Sequence, residues 1–495
     1  MRRSSTILMT RQQGARVQVY LVERSPTLRF FGGYWAFPGG VVDGVDRLEG
    51  DVDDEAALAR CAIRELFEET GILLAPLDSI IPQGERSGLR GSLVDQGSDA
   101  SAWLPYLAAT EEARTQLKWI TTISTPEFFP VRHRTPFFQV ELPPGQEPTI
   151  EPGELVEGRF WDAAELIGAW KAGQLSVAPP TLFLLEILRH GDLGRFFEEA
   201  RALGESMEAG QLHRAFFAPG VMIAPLSTPT LPPATTTNCV LIGEKRVFIL
   251  DPATPVEGDQ KRLFEVLDRW LAEGRVLAGV LLSHHHLDHV GAVKVTAERY
   301  GLTVYAHSQT LERLELGDVS TCAIEHGHRL DLGIAPDGSK GWALEAHFTP
   351  GHAPGHLVFI ENRYRTAIVG DLVSTLSTIV IDPPEGHMAT YLTSLGAILD
   401  QDIGVLIPAH GAGARVGADV LRYHLRRRKD RESKLLGILG QGPQTLEQLL
   451  PLVYDDAPKD VMPFAARSLL AGLQKLEEEQ RARLEGNRWG LVADS

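Results

Sequence analysis

Cysteine is scarce in this chain. Cys61, Cys239 and Cys322 are the three among 495 residues. Their number is odd and they lie far apart, which excludes a disulfide framework and a thiolate metal cage and points to a reducing compartment. Long apolar runs are missing as well. No segment approaches the roughly 18 apolar residues of a membrane span, and the opening Met1-Arg-Arg-Ser-Ser lacks an apolar stretch after its charges, so neither a membrane helix nor a signal peptide is expected. Positive charge is in short supply: 48 Lys and Arg against 65 Asp and Glu give a net charge of −17. That balance excludes a generic polyanion binder and, with the other absences, leads us to expect a soluble, cytoplasmic enzyme.

Apolar residues, at 43%, suffice for ordinary globular cores, and the length predicts about three domains. The most pointed stretch is Ser283 to His289, Ser-His-His-His-Leu-Asp-His, which follows the β-branched and leucine-rich run Val276 to Leu282. A buried strand should end there and a helix, Val290 to Tyr300, should begin. His284 and His286, two apart, project to one side of an extended segment, while Asp288 and His289 at the turn face a second point. A lone histidine at such a turn is ordinarily unremarkable; this spacing overrides that reading. Imidazole and carboxylate together suit zinc, with iron or manganese as alternatives. Three downstream stretches offer matching groups. Thr349-Pro-Gly-His352-Ala-Pro-Gly-His356 follows the strand-like Trp342 to Phe348; Asp371 ends Ala367-Ile-Val-Gly-Asp; His410 ends Val405-Leu-Ile-Pro-Ala-His. Each lies at the C-terminal end of an expected strand, where α/β folds place their chemistry.

Together these segments resemble the metallo-β-lactamase superfamily, from roughly Pro219 to Arg415, with Thr237 to Gly243 and Phe248 to Pro252 resembling its opening hairpin. The resemblance implies an αββα sandwich in which His284, His286 and His352 hold one zinc, Asp288, His289 and His410 hold a second, and Asp371 bridges them. It further implies that a water or hydroxide between the cations is the nucleophile, with Asp288 a catalytic group as well as a ligand. Asp288, the Thr-Pro-Gly-His-x-x-Gly-His loop and Asp371 resemble the glyoxalase II and β-lactamase-like protein 2 branch. The interval of about 40 residues between Asp371 and His410 leaves no room for the large inserted domain of RNA-processing nucleases. His285 and His356 match no ligand position and are expected to support the ligands, or in the case of His356 to face substrate.

In the N-terminal half, Val17 to Val22 reads as a strand and Trp35-Ala-Phe-Pro-Gly-Gly40 as a sharp turn. Glu55 to Leu73 reads as a helix ended by Gly71. Glu65, Glu68 and Glu69 stand at i, i+3 and i+4, on one helical face, with no basic partner one turn downstream. Oxygen ligands alone suit magnesium or manganese, which accompany diphosphate substrates. The Gly-Gly and Arg64-Glu-x-x-Glu-Glu-x-Gly elements resemble the Nudix hydrolases over about Thr6 to Arg189. That resemblance implies an αβα sandwich, metal binding by Glu65, Glu68 and Glu69, and catalytic roles for Glu69 and for Arg64, which orients the glutamates. The chain departs from the Nudix box at Ala56, where a glutamate is expected, and in a longer interval from Gly40 to Arg64; Asp53, Asp54 or Glu55 are candidate substitutes. A similar insertion occurs in the branch that includes coenzyme A diphosphatases. Arg24-Ser-Pro26, Trp119 to Pro126, Arg132 to Phe138, Trp161 and Pro179-Pro-Thr181 resemble that branch too. Glu154 and Glu157 are candidates for a carboxylate supplied from outside the helix.

The sequence thus predicts an α/β (α+β) chain in four parts: a Nudix domain over 1–200, a linker rich in proline and threonine over 201–236, the lactamase-like domain over 237–415, and a winged-helix unit over 416–495. The last part resembles the tail of β-lactamase-like protein 2, through its Tyr454-x-x-Ala-Pro turn and Leu-x-Lys475-Leu-Glu element. Its first helix is basic, with Arg422, Arg426, Arg427, Arg428, Lys429, Arg431 and Lys434. Packing or lidding is favoured over nucleic-acid binding, since Glu477, Glu478 and Glu479 follow the second helix and would repel phosphates. The expected function is bifunctional. The Nudix half cleaves a diphosphate of nucleotide or coenzyme A type with magnesium or manganese, and the lactamase-like half hydrolyses an ester or thioester. The alternatives are an endoribonuclease activity of the second half, or a Nudix half that serves as a ligand sensor.

Overall fold

The computed structural model describes residues 1–492 apart from 15, 29–30, 49–53, 97–99, 127–130, 152 and 213. The chain divides into two compact units, Met1–Pro219 and Gly220–Ser495.

In the first unit, alternation along Arg2–Gln13 sends Ile7 and Met9 to one face of a sheet and Leu8 to the other, all fully buried. Both faces must therefore be covered, and two clusters do so. Ile7, Met9, Tyr20 and Val22 meet Ile63, Leu66 and Phe67 of helix α1 (Asp54–Thr70). Leu8, Val19 and Leu21 meet Leu166, Leu184 and Leu185 on the opposite side. The sheet runs Lys118–Ser124, His133–Glu141, Arg2–Gln13, Arg16–Arg24, Tyr34–Ala36, Ser176–Val177. Gly39–Val41 pairs with Arg2–Gln13, and Leu155–Asp162 with Arg16–Arg24. This is the expected αβα sandwich.

In the second unit six strands lie side by side in the order Val221–Ser227, Thr236–Ile242, Arg246–Leu250, Val276–Leu281, Val304–Ala306, Thr321–Ala323. A second sheet takes Arg329–Ile334, Lys340–Phe348, Leu357–Glu361, Thr366–Gly370 and Val405–Pro408. Tyr391 and Leu395 of α2 (Met388–Leu399) and Leu421 of α3 (Gly417–Leu439) pack on Val358, Ile360 and Val369 of that sheet. The two sheets are tied at their chemical edge: Ser283 O accepts from Leu357 N at 2.8 Å, and Asn238 Nδ2 donates to Pro408 O at 2.8 Å. This is the αββα sandwich. The tail follows as α4 (Leu446–Val453), α5 (Met462–Glu478) and the hairpin Ala482–Glu485 with Arg488–Leu491, closed around Leu449, Leu473, Leu476 and Trp489.

Two expectations need correction. The stretch 201–236 is not a plain linker: it holds the end of helix Leu193–Glu208 and strands Ala215–Ala218 and Val221–Ser227. Its prolines suggested a joint, but Val221, Ile223, Ala224 and Leu226 are wholly buried and pair with Thr236–Ile242. The helix expected over Val290 to Tyr300 is two pieces, Leu287–Val290 and Val293–Tyr300. Gly291 sits so close to Ala253 that a Cβ would lie 2.5 Å from its carbonyl oxygen.

Candidate metal centre

The strand Val276–Leu281 ends in a turn whose first residue, Ser283, is fixed by Asp251. Ser283 N donates to Asp251 Oδ1 at 2.8 Å and its hydroxyl donates to Oδ2 at 2.5 Å. Asp251, at the end of the neighbouring strand, has φ +48°. The same Oδ2 accepts from His289 Nδ1 at 3.0 Å, and the Ser283 hydroxyl accepts from His284 Nδ1 at 3.0 Å. In their neutral forms both imidazoles therefore present Nε2 as a bare lone pair. Two more rings are held the same way by backbone. His352 Nδ1 donates to Val380 O at 2.9 Å and His410 Nδ1 to Thr236 O at 3.0 Å.

The freed atoms converge. His284, His286 and His352 bring ligand atoms within 4.8 Å of one another, as do Asp288, His289 and His410, and as do His284, His289 and Asp371. Asp371 stands between the first two sets. Its Oδ2 is 3.5 Å from His352 Nε2, while its Oδ1 is 3.3 Å from His410 Nε2 and 3.6 Å from His289 Nε2. Asp288 Oδ2 is 3.5 Å from His410 Nε2. His286 Nδ1 and His352 Nε2 face each other at 3.1 Å. Among the described residues, His284 Nε2, His289 Nε2 and Asp371 Oδ1 are buried with no hydrogen-bond partner. Orphaned lone pairs aimed at common points are the mark of a cation site, and the mixed nitrogen and oxygen donors fit a divalent metal.

Electrostatics agree with that fit. Burial, reinforced by neighbouring imidazoles, pushes His284 well below its usual pKa, and burial pushes His352 down to about 4. Both rings are neutral at ordinary pH, the form a cation requires. Burial also opposes charge on Asp371, yet His410 and His289 hold it well below the usual carboxylate range. In return, against the opposing effect of burial, Asp288 and Asp371 raise His289 well above its usual pKa and Asp371 raises His410, so a cation binding there displaces protons from these two rings.

His356 is wholly buried behind the ligands. Asp371 N donates to its Nε2 at 3.1 Å, so its Nδ1 donates to Thr349 Oγ1 at 2.8 Å. It therefore braces Asp371 and does not face substrate. Gly370 makes room for this ring: its φ is +49°, and a Cβ there would lie 2.8 Å from His356 Nε2. His285 Nε2 lies 3.2 Å from Glu385 Oε2, which is 3.7 Å from His286 Nε2. Asp251, Glu385 and the carbonyls of Thr236 and Val380 escaped the sequence reading; no local pattern marks a carbonyl or a carboxylate that acts across such separations.

In the first unit, buried Arg64 links the helix to the turn before it. Its Nε and Nη2 donate to Asp46 Oδ1 and Oδ2, both at 3.0 Å, and Nη1 donates to Glu68 Oε2 at 3.0 Å and lies 2.9 Å from Glu65 Oε1. Glu69 Oε2 accepts from Gly39 N at 2.9 Å, and Gly40 lies so near that a Cβ would sit 2.4 Å from Glu65 Oε1. The strand Gly39–Val41 is thus laid against the acidic face, which needs glycine. Burial raises the pKa of all three glutamates, Glu68 to about 7; repulsion from Glu65 adds to it at Glu68 and Glu69, and repulsion from Asp46 adds to it at Glu65. Among the described residues none of the close ligand clusters includes them, so Glu65, Glu68 and Glu69 share a face without converging as the histidines do. Exposed Glu154 adds to the repulsion on Glu65 and Glu68; Glu157 acts instead on Tyr20. Asp54 is engaged by Arg3 and Arg47, each at 2.8 Å, and Asp53 lies outside the described residues. Asp46, buried and bidentate on Arg64, was not anticipated.

Comparison with known proteins decides the placement. Residues 1–116 match the family model of the NUDIX domain, 232–410 that of the metallo-beta-lactamase superfamily, and 445–489 that of the beta-lactamase associated winged helix domain. The chain joins a Nudix domain to a metallo-β-lactamase domain with its winged helix. Both enzyme domains belong to families of metal-dependent hydrolases that bind divalent cations, and the chain is such a hydrolase. A hydroxyacylglutathione hydrolase, GloC, of Haemophilus influenzae is 27% identical over 37% of this chain and 89% of its own length. A beta-lactamase-like protein 2 homolog of Drosophila melanogaster is 27% identical over 50% of this chain and 84% of its own. Putative nudix hydrolase 7 of Caenorhabditis elegans is 30% identical over 34% of this chain, which spans 54% of that protein. A beta-lactamase domain protein from Burkholderia ambifaria shares the fold, with a TM-score of 0.50 at 18% identity over 57% of this chain and 94% of its own. No helix among the described residues is long and apolar enough to cross a membrane.

Proposed function

We propose that the metallo-β-lactamase half holds two cations, one on His284, His286 and His352 and one on Asp288, His289 and His410, bridged by Asp371, and hydrolyses an ester or thioester of a small molecule. The observation that carries this reading is the placement of Asp371, whose two oxygens face the two ligand sets separately. Zinc suits the donors best, with iron or manganese as alternatives. When bound, such a pair would lower the pKa of a water and polarise the scissile carbonyl. The chain's own contribution is to fix geometry. Asp251, Val380 and Thr236 hold three imidazoles in one tautomer, and His356 holds the Asp371 backbone. Asp288, with 19% of its side chain exposed against 11% for Asp371, is the carboxylate open to an incoming substrate.

In the Nudix half Glu65, Glu68 and Glu69 would gather magnesium or manganese against a diphosphate, with Arg64 holding Glu65 and Glu68 in place. Carboxylates forced together by burial and kept partly protonated are poised to exchange protons for a divalent ion. Coenzyme A thioesters contain both scissile bonds, and we assign the chain to that substrate class. Incubation with acyl-coenzyme A species should release free thiol from the second half and adenosine 3′,5′-bisphosphate from the first. Absence of both products across several acyl groups would refute the assignment. The nucleic-acid alternative is disfavoured by the tail. Arg427 and Arg431 are paired with Asp456, Lys434 with Asp455, and Arg428 donates to Ile379 O.

A further inference from the structure

The segment 379–387 touches the metal centre on one side and the winged helix on the other. Toward the centre it supplies three contacts. Val380 O accepts from His352 Nδ1 at 2.9 Å; Glu385 Oε2 lies 3.7 Å from His286 Nε2 and 3.2 Å from His285 Nε2; His387 N donates to Gly351 O, next to His352, at 2.8 Å. Glu385 is itself steadied by Arg313 Nε at 3.3 Å. Toward the tail the segment is held at four points. Arg428 of α3 donates to Ile379 O. From α5, Ser468 Oγ accepts from Ile381 N at 3.0 Å, Arg467 Nε donates to Asp382 Oδ1 at 2.5 Å, and Glu478 Oε1 lies 2.9 Å from His387 Nε2. Between Ile379 and His387 there is no helix or strand to fix the backbone from within. Within it Gly386 N donates to Asp382 O at 2.8 Å, and the rest of its shape is set by what it is anchored to.

From this we infer that the winged helix is a structural part of the hydrolytic centre: through Arg467, Ser468 and Glu478 it positions the segment that orients His286 and His352. These are positioning residues, acting through Val380 and Glu385. The inference rests on the reading of His284, His286 and His352 as one cation's ligands, and it adds an asymmetry that the reading lacks. Helix α3 also reaches the other set, since His424 Nε2 donates to Ser374 O at 2.8 Å and Ser374 Oγ donates to His410 O at 3.1 Å. The asymmetry belongs to α5: none of the contacts of Arg467, Ser468 and Glu478 above reaches His289, His410 or Asp288, so α5 supports one cation and not the other. Outer partners of metal-bound histidines typically govern about 10- to 100-fold in affinity.

The test uses the full chain carrying Glu69→Gln, loaded with cobalt, and titrated with a chelator while the cobalt absorption spectrum is followed. Wild-type second half should release two equivalents. Arg467→Ala combined with Ser468→Ala should release one equivalent at about 10-fold lower chelator concentration, with an altered spectrum for that equivalent, and leave the other unchanged. Arg467→Lys should restore most of the loss. Asp382→Asn, made on the opposite side of the same ion pair, should act like Arg467→Ala and add nothing to it. Arg422→Ala, which breaks a surface pair with Asp419 on α3, is the control expected to behave as wild type. Should the parent protein bind fewer than two equivalents, the dinuclear reading falls and this inference with it. Two tight equivalents in the parent, with Arg467, Ser468 and Asp382 variants unaltered in release and spectrum, would overturn the inference alone. A change in both equivalents alike would also overturn it, since general loosening of the fold has no preference between cations.

Discussion

Asp251 shows how much of the centre depends on one buried side chain that binds no cation itself. It orders Ser283 and, directly or through that hydroxyl, His289 and His284. Asp251→Ala leaves a buried Nδ1–H on His289 without its acceptor, a cost of about 1–3 kcal/mol, and frees the ring to flip. Isothermal titration with zinc should show affinity lower by about 10- to 100-fold; an unchanged affinity would show that the tautomer is set elsewhere. In the Nudix half Asp46 plays the corresponding part for Arg64. Asp46→Ala takes the bidentate partner from a buried guanidinium, leaving it Glu65 and Glu68, and should destabilise the domain by about 3 kcal/mol, read as a lower urea midpoint for the first transition. Glu68 gives a pH signature. Its folded pKa, raised to about 7 from 4.5 by burial first and then by Glu65, favours the protonated form. Without divalent ions, stability is therefore full below about pH 4.5 and declines as pH rises through about 7. Glu68→Gln should flatten that decline in thermal melts, and added magnesium should reverse it above pH 7 in the parent protein.

At the scale of elements, the candidate ligand motifs were readable because each residue ends a strand whose apolar pattern is local. Val276–Leu281, Thr366–Gly370 and Val405–Pro408 deliver His284, Asp371 and His410 to one edge. Helix α1 was readable from its glutamate spacing, and it stops at Thr70, one residue before Gly71. What the sequence hid were contacts made across elements by groups without a pattern. The carbonyls of Thr236 and Val380 could belong to any residue, and Asp46 lies 18 residues before Arg64, across the insertion. The buried strand Val221–Ser227 was obscured by prolines before, within and after it, Pro219, Pro225 and Pro229 among them. The basic helix α3 misleads in the other direction. Its charges suggest a nucleic-acid surface, yet Arg427, Arg431 and Lys434 are partnered by Asp455 and Asp456. Reversing Arg427 and Arg431 to glutamate should lower the melting temperature through repulsion with Asp456. It should leave the weak binding of a fluorescent single-stranded RNA, and its salt slope, unchanged.

For the whole molecule, the proposed reading gives the two units separate chemistries with different donors, carboxylate oxygens alone in the first and imidazole nitrogens joined by Asp288 and Asp371 in the second. Their activities should therefore be separable. Glu69→Gln should abolish release of adenosine 3′,5′-bisphosphate and spare thiol release, while His286→Ala should do the reverse, each by about 100-fold or more as expected for loss of a positioned catalytic group. Loss of both products in either single variant would contradict independent sites. The most direct test of the dinuclear centre is anomalous diffraction at the zinc edge from crystals of zinc-loaded protein. The account predicts two peaks, one within bonding distance of His284, His286 and His352, the other of Asp288, His289 and His410, with one Asp371 oxygen toward each. A single peak, or peaks away from Asp371, would contradict it.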